Sequence, residues 1–175
     1  HWEHRQFLPN KWQLTTGVGY ASDETFIEAF YRNEYQVGTE ETYVHLKRIE
    51  DNRAISFLGK GRINDFADEL EEMPTAEFHW TGQSLFDDKF TLYSDSQASR
   101  FRQRVGDEHE WEIDRDHFSF LSHRTELDMP LRSGPFKIVP FTAGTFGYDD
   151  RSGFTRTLVD GSHTGRFGED QVLIG

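Results

Sequence analysis

The run Arg100-Phe101-Arg102-Gln103-Arg104-Val105 alternates cation with non-cation, and Glu108-His109-Glu110-Trp111-Glu112-Ile113-Asp114 alternates acid with non-acid. A period of two puts each charged set on one face of a β-strand, a placement that the 3.6-residue period of a helix does not give. Folded about Gly106-Asp107-Glu108, the two runs face Arg104 with Glu110, Arg102 with Glu112 and Arg100 with Asp114. A slip of one residue sets every arginine against an apolar or imidazole group, so the charges specify this register. A second hairpin turning at Arg115-Asp116 sets Ile113 against Phe118 and Trp111 against Phe120. Both hairpins share one apolar face made of Phe101, Val105, Trp111, Ile113, Phe118 and Phe120. The charged face is expected to be a solvated ladder in which each pair contributes about 0.2–1 kcal/mol. The sharper alternative is that it lines a barrel or cleft and offers arginine and carboxylate to a polar ligand.

Turn signals recur every 8–12 residues or so after Thr75, the spacing of an antiparallel barrel or two-sheet sandwich. Strands are expected at 76–81, 89–94, 99–105, 109–114, 117–126, 135–142, 153–159 and 166–174. Pro130, Pro135 and Pro140 confine the strand near 136–139 to an edge or to a short length. In the N-terminal half, residues 1–20 read as a loose lead-in followed by a strand, and 42–49 and 54–58 as two strands joined by a turn. Two short helices are expected. One follows Ser22, with Phe26, Ile27, Phe30 and Tyr31 on one side; the other runs over 64–73, capped by Asn64 and stopped by Pro74. No linker interrupts the pattern, so residues 1–175 are taken as a single β-rich domain.

Composition narrows the function. Only 35% of residues are hydrophobic, yet 15% are aromatic, including 16 Phe. Each buried ring removes about 150–250 Å² from water, enough to expect a folded core. A formal charge of -12 argues against nucleic acid and anionic membrane surfaces as partners. The absence of cysteine excludes disulfide and thiol chemistry. No apolar stretch approaches the length of a membrane helix. The expectation is therefore a soluble chain, secreted or excised from a larger protein, with no nucleic-acid and no membrane partner.

Gly17-Val18-Gly19 lacks the third glycine of a dinucleotide loop, and Asp149-Asp150-Arg151-Ser152-Gly153 lacks the alternating ligands of a calcium loop. Neither a cofactor nor a metal site is expected. His117, His123 and Asp114 are the candidates for acid–base catalysis. His117 and His123 point to the arginine side of the sheet and stand six residues apart, about 20 Å along a strand, too far to share one metal. Trp80, Tyr93, Arg102, Arg104, Trp111 and Tyr148 are the candidates for ligand binding: the rings to stack on a sugar or wall a pocket, the arginines to supply polar contacts.

Lys11-Trp12-Gln13-Leu14 and Arg166-Phe167 resemble lipocalin-like barrels, in which a first-strand tryptophan packs beside an arginine from the end of the chain. The glycine two residues before the tryptophan is missing, and the helical signals at 23–34 and 64–73 depart from that pattern, so no family is assigned. The expected fold is mainly antiparallel β, a lipocalin-like barrel or jelly-roll-like sandwich. The expected function is non-catalytic binding of a small molecule or glycan in a barrel mouth or sheet cleft. The alternatives are a small barrel enzyme (lyase, cyclase or isomerase) and a structural module of a homo-oligomer or parent assembly.

Overall fold

A computed structural model describes residues 1–23, 25, 41–106, 117–150, 154–157, 163–167 and 171–174, the last three stretches as backbone. Its strands are β1 (Trp2–Leu8), β2 (Trp12–Val18), β3 (Tyr43–Glu50), β4 (Arg53–Lys60), β5 (Glu69–Leu85), β6 (Phe90–Arg104) and β7 (His117–Asp128). They continue as β8 (Leu131–Ser133), β9 (Phe136–Ile138), β10 (Phe141–Asp150), β11 (Phe154–Thr157), β12 (His163–Phe167) and β13 (Gln171–Ile174). Nine of them form one sheet in the order β1-β2-β3-β4-β5-β6-β7-β10-β13, every neighbouring pair antiparallel. β8 with β9 and β11 with β12 make separate hairpins. The expectation of a mainly antiparallel β chain holds. Among the described residues the sheet is not closed into a barrel: β1 and β13 are its two edges.

The residues that read as a lead-in form β1 and β2, paired through a turn in which Asn10 and Lys11 both have positive φ. The expected helix at 64–73 is a correction. Residues 65–67 form a turn, and Glu69 onward is the start of the longest strand. Phe66, Leu70 and Met73 do have helical spacing, but β6 offers a row of arginines to Glu69 and Glu71, and that pairing prevails over local preference. Asn64 caps no helix. Its amide nitrogen donates to the Gly19 carbonyl at 3.1 Å and its oxygen accepts from the Ala21 N–H at 3.0 Å, fastening the exit of β2. Most of the helix expected after Ser22 lies outside the described residues.

The meander register is also corrected. Residues 109–114 lie outside the described set, as does the second ladder side of Arg104, but the positions beside Arg102 and the β7 side of Arg100 are already taken. Arg102 sits between Glu71 and His117, Arg104 pairs with Glu69, and Arg100 pairs with Ser119. Phe120 sits between Ser99 and Asp149, which leaves no place for Trp111 opposite it. The arginine row does face carboxylates, but they come from the strand before it. Phe101 and Phe118 do share a face, paired directly with ring centroids 5.2 Å apart.

An antiparallel meander places successive connections at alternate ends of the sheet. One end carries the short turns Pro9–Lys11, Asp51–Asn52 and Phe86–Lys89 and also the connection 129–140, which holds the hairpin of β8 and β9. The other carries the longer connections 19–42, 61–68 and 105–116. The loop-rich end holds the buried residues Ala21, Ala67 and Val105. Among the described residues no large side chain is fully buried, and no element packs across either face of the nine-stranded sheet.

Candidate functional site

Cross-strand partners point to the same side of a sheet, so the registers can be read as rows. One row crosses eight strands as Gln6, Leu14, Leu46, Phe57, Ala76, Ala98, Leu121 and Tyr148. The next row on that face is Leu8, Trp12, Arg48, Ile55, Phe78, Ser96, His123 and Phe146. The row between them, on the opposite face, is Phe7, Gln13, Lys47, Ser56, Glu77, Gln97, Ser122 and Gly147. One face is thus predominantly apolar and the other predominantly polar. Trp2, Trp12 and Trp80, the described tryptophans, all fall on the apolar face.

The centre of the apolar face is a trough of about 400 Å³. Its floor is made of the small side chains Ala76, Ser96 and Ala98 on β5 and β6. Ile55, Phe57 and Phe78 stand on one flank, and Leu121 and Phe146 on the other. Phe57, Leu121 and Phe146 remain 40%, 42% and 41% exposed, so the trough is open along its length. His123 also lines it, and both its ring nitrogens are hydrogen-bonded. Nδ1 lies 2.8 Å from Ser96 Oγ and Nε2 lies 2.8 Å from Thr125 Oγ1. The two hydroxyls fix the orientation of the imidazole in the trough wall.

The polar face carries a charged track across β4 to β7. Ser56 donates to Glu77 at 2.9 Å, and His79 Nδ1 lies 2.7 Å from Asp95. Asp95 is the ladder partner of Arg124, which bonds Glu126. Among the described residues no group of three His, Asp or Glu converges as metal ligands do.

At the loop-rich end, charges are buried instead. Arg62, with a side chain 3% exposed, donates to the carbonyls of Asp65, Ala67 and Val105 at 2.9, 3.1 and 2.9 Å. Glu71, 7% exposed, accepts the Arg62 N–H and stands 4.0 Å from Arg102. Asp68 accepts the Gly106 N–H at 2.7 Å, and a Cβ on Gly106 would lie 2.2 Å from the Phe66 carbonyl oxygen. Burial raises the Glu69 carboxyl above its usual range, against the pull of Lys60. Lys60 is itself held above its usual value: burial opposes its charge, but Glu41 at 2.6 Å, with Glu69 and Glu72, outweighs that. Glu41, not Glu69 at 3.6 Å, is the closer partner of Lys60.

The residues expected to bind ligand do not form one platform. Trp80 lies on the apolar face beneath the Arg53 guanidinium, 4.8 Å from its ring centroid, whereas Tyr93 is on the polar face opposite Glu126. Tyr148 borders the apolar trough beside Leu121. Arg102 and Arg104 belong to the charged cluster at the loop-rich end, with Glu71 and Glu69 as ladder partners. His117 opposes Arg102 on the same face as His123 but near the strand end. Trp111 and Asp114 lie outside the described residues, as do the side chain of Arg166 and therefore its expected contact with Trp12. Sequence reading missed Leu46, Phe57, Leu121 and Phe146. Each is one apolar member of an alternating strand, and only the register joins them into a surface.

No helix among the described residues is long and apolar enough to cross a membrane. Comparison with known proteins gives no match: no family model, no curated protein and no solved structure is significantly similar to the chain.

Proposed function

We propose that this chain is a wall of transmembrane β-sheet, with the Phe57 face against lipid acyl chains and the Glu77 face against water. The observation that carries this reading is the apolar row across eight strands with, among the described residues, no second layer over it. Soluble monomers rarely expose a contiguous apolar patch beyond a few hundred Å². A membrane-spanning sheet requires one, with alternating residues facing lipid and water. An eight-residue strand such as β4 is about 26 Å long, matching an apolar band about 25 Å tall. Strand β6, with fifteen residues, is about 50 Å long and extends past such a band, which is where its arginines meet Glu69 and Glu71. The three described tryptophans, all on the apolar face, suit the interfacial belts of such sheets.

This reading departs from the expectation of a soluble chain without a membrane partner. Net charge bears on anionic headgroups, not on acyl chains, and a strand that spans with every second residue leaves no long apolar run. The trough supports a second reading, in which the chain is water-soluble and holds an apolar small molecule between Phe57 and Phe146.

Tryptophan fluorescence separates the two. In the proposed role, the chain refolded into vesicles of brominated phosphatidylcholine loses most of its tryptophan emission to the acyl-chain bromines, while aqueous iodide quenches little. Full quenching by iodide with none by bromolipid overturns it in favour of the soluble reading.

A further inference from the structure

The hairpin of β8 and β9 is bounded by Pro130 and Pro140 and turns at Gly134-Pro135. Gly134 takes φ 60, which a two-residue hairpin turn demands of its first residue, so the register is pinned from the tip. The base is closed by the Met129 N–H, which donates to the Pro140 carbonyl at 2.9 Å. No strand of the nine-stranded sheet pairs with this arm. Its two sides differ in chemistry. Leu131, Phe136 and Ile138 share one side with Ser133, while Arg132 and Lys137 face each other on the opposite side. The three apolar side chains are 48%, 71% and 64% exposed. Like charges at facing positions repel, and among the described residues neither cation has an ion-pair or hydrogen-bond partner. The stretch 129–148 also holds no Asp or Glu, in a chain with 31 of them.

Resting on the lipid-facing reading, which brings this end of the sheet to the membrane surface, we infer that the β8–β9 hairpin docks on anionic phospholipid headgroups. Leu131, Phe136 and Ile138 enter the acyl boundary, and the long stems of Arg132 and Lys137 return their charges to the headgroup phosphates. The cations then have the counter-ions that the chain itself does not provide. The formal charge of -12 does not oppose this, because screening limits each exposed charge to about 10 Å and the arm contributes only bases.

The test uses the full chain with an environment-sensitive dye on Ser133→Cys, a unique label because the chain has no cysteine. Vesicles of phosphatidylcholine alone are compared with vesicles that also contain phosphatidylglycerol, and acrylamide, a neutral quencher, reads the exposure of the dye. Phosphatidylglycerol should shield the dye, and added salt should reverse this. Arg132→Gln and Lys137→Gln should each lower the ratio of docked to undocked arm about fivefold, and together about 30-fold, from about 1 kcal/mol per cation at an anionic surface. A dye equally exposed in both vesicles, or shielding that survives the double variant, overturns the inference. Shielding that needs no vesicles and grows with protein concentration also overturns it, and assigns the arm to a second copy of the chain. Bromolipid quenching of the tryptophans in the same vesicles reports on the sheet separately. Its loss while phosphatidylglycerol still shields the dye removes the lipid-facing reading alone.

Discussion

The middle of the sheet and its loop-rich end treat side chains in opposite ways. In the middle, Phe57, Leu121 and Phe146 stand out from the surface, while at the loop-rich end Arg62 and Glu71 are almost wholly enclosed. The end builds its own cover from residues 61–68, stapled by Asn64 to β2, by Arg62 to Val105 and by Asp68 to Gly106. Among the described residues the middle has no such cover. In the proposed role, the surroundings cover the phenylalanines of the middle. Exposed apolar surface is thus a statement about the medium, and buried charge is a statement about the loops.

The contrast breaks most severely if arginine is tolerated in the apolar row. The Leu46→Arg/Leu121→Arg chain should lose roughly 4–8 kcal/mol of stability in vesicles, taking about 2–4 for each arginine near the bilayer midplane. Bilayer insertion should then fail in a flotation assay. The paired control Ser56→Arg/Ser122→Arg, on the polar face, should insert normally; equal loss in both would remove the distinction between faces. At the other end, Arg62→Ala leaves three carbonyls without their donor and should cost about 3 kcal/mol, at about 1 kcal/mol each. Denaturant unfolding would measure this, with faster hydrogen exchange confined to 61–68 and Val105. A change that spread to the apolar rows would show that the two regions are one cooperative unit.

Asn64→Ala removes two hydrogen bonds that hold Gly19 and Ala21, at about 1–2 kcal/mol. It should free the start of the 19–42 connection, read as early proteolysis there without loss of insertion. The smallest effect concerns Glu69. Because its carboxyl is raised in the folded chain, the folded state holds that proton more tightly than the unfolded state does. Its contribution is therefore favourable at acid pH and is lost as pH rises through its raised range. Glu69→Gln should remove this slope, melting nearer to the parent chain in acid and slightly above it at neutral pH. A variant that melts lower at neutral pH would show that the contact with Lys60 outweighs burial.

What was legible beforehand differs between the same two regions. The alternation of Arg100, Arg102 and Arg104 announced a strand with charges on one face, and that is how β6 is built. Their partners were not legible. Glu69 and Glu71 sit among Phe66, Leu70 and Met73 at helical spacing, and only the approach of β6 turns that stretch into a strand. His117 and His123 were assigned to one face by parity, and the register agrees. That Ser96 and Thr125 occupy both nitrogens of His123 depends on a strand 27 residues away and on side-chain geometry.

By itself the sequence determined antiparallel strands, because period-two alternation of charge and ring is a local property that survives whatever the partners are. It also determined which residues of each strand share a side. Tertiary structure alone decided that eight such sides line up as one uncovered apolar surface, because register is a relation between distant segments. It also decided that Arg102 and Arg104 take Glu71 and Glu69 of β5 as ladder partners, and that, among the described residues, the sheet ends at β1 and β13. The uncovered apolar surface, and not composition or net charge, is what supports the proposed lipid-facing role.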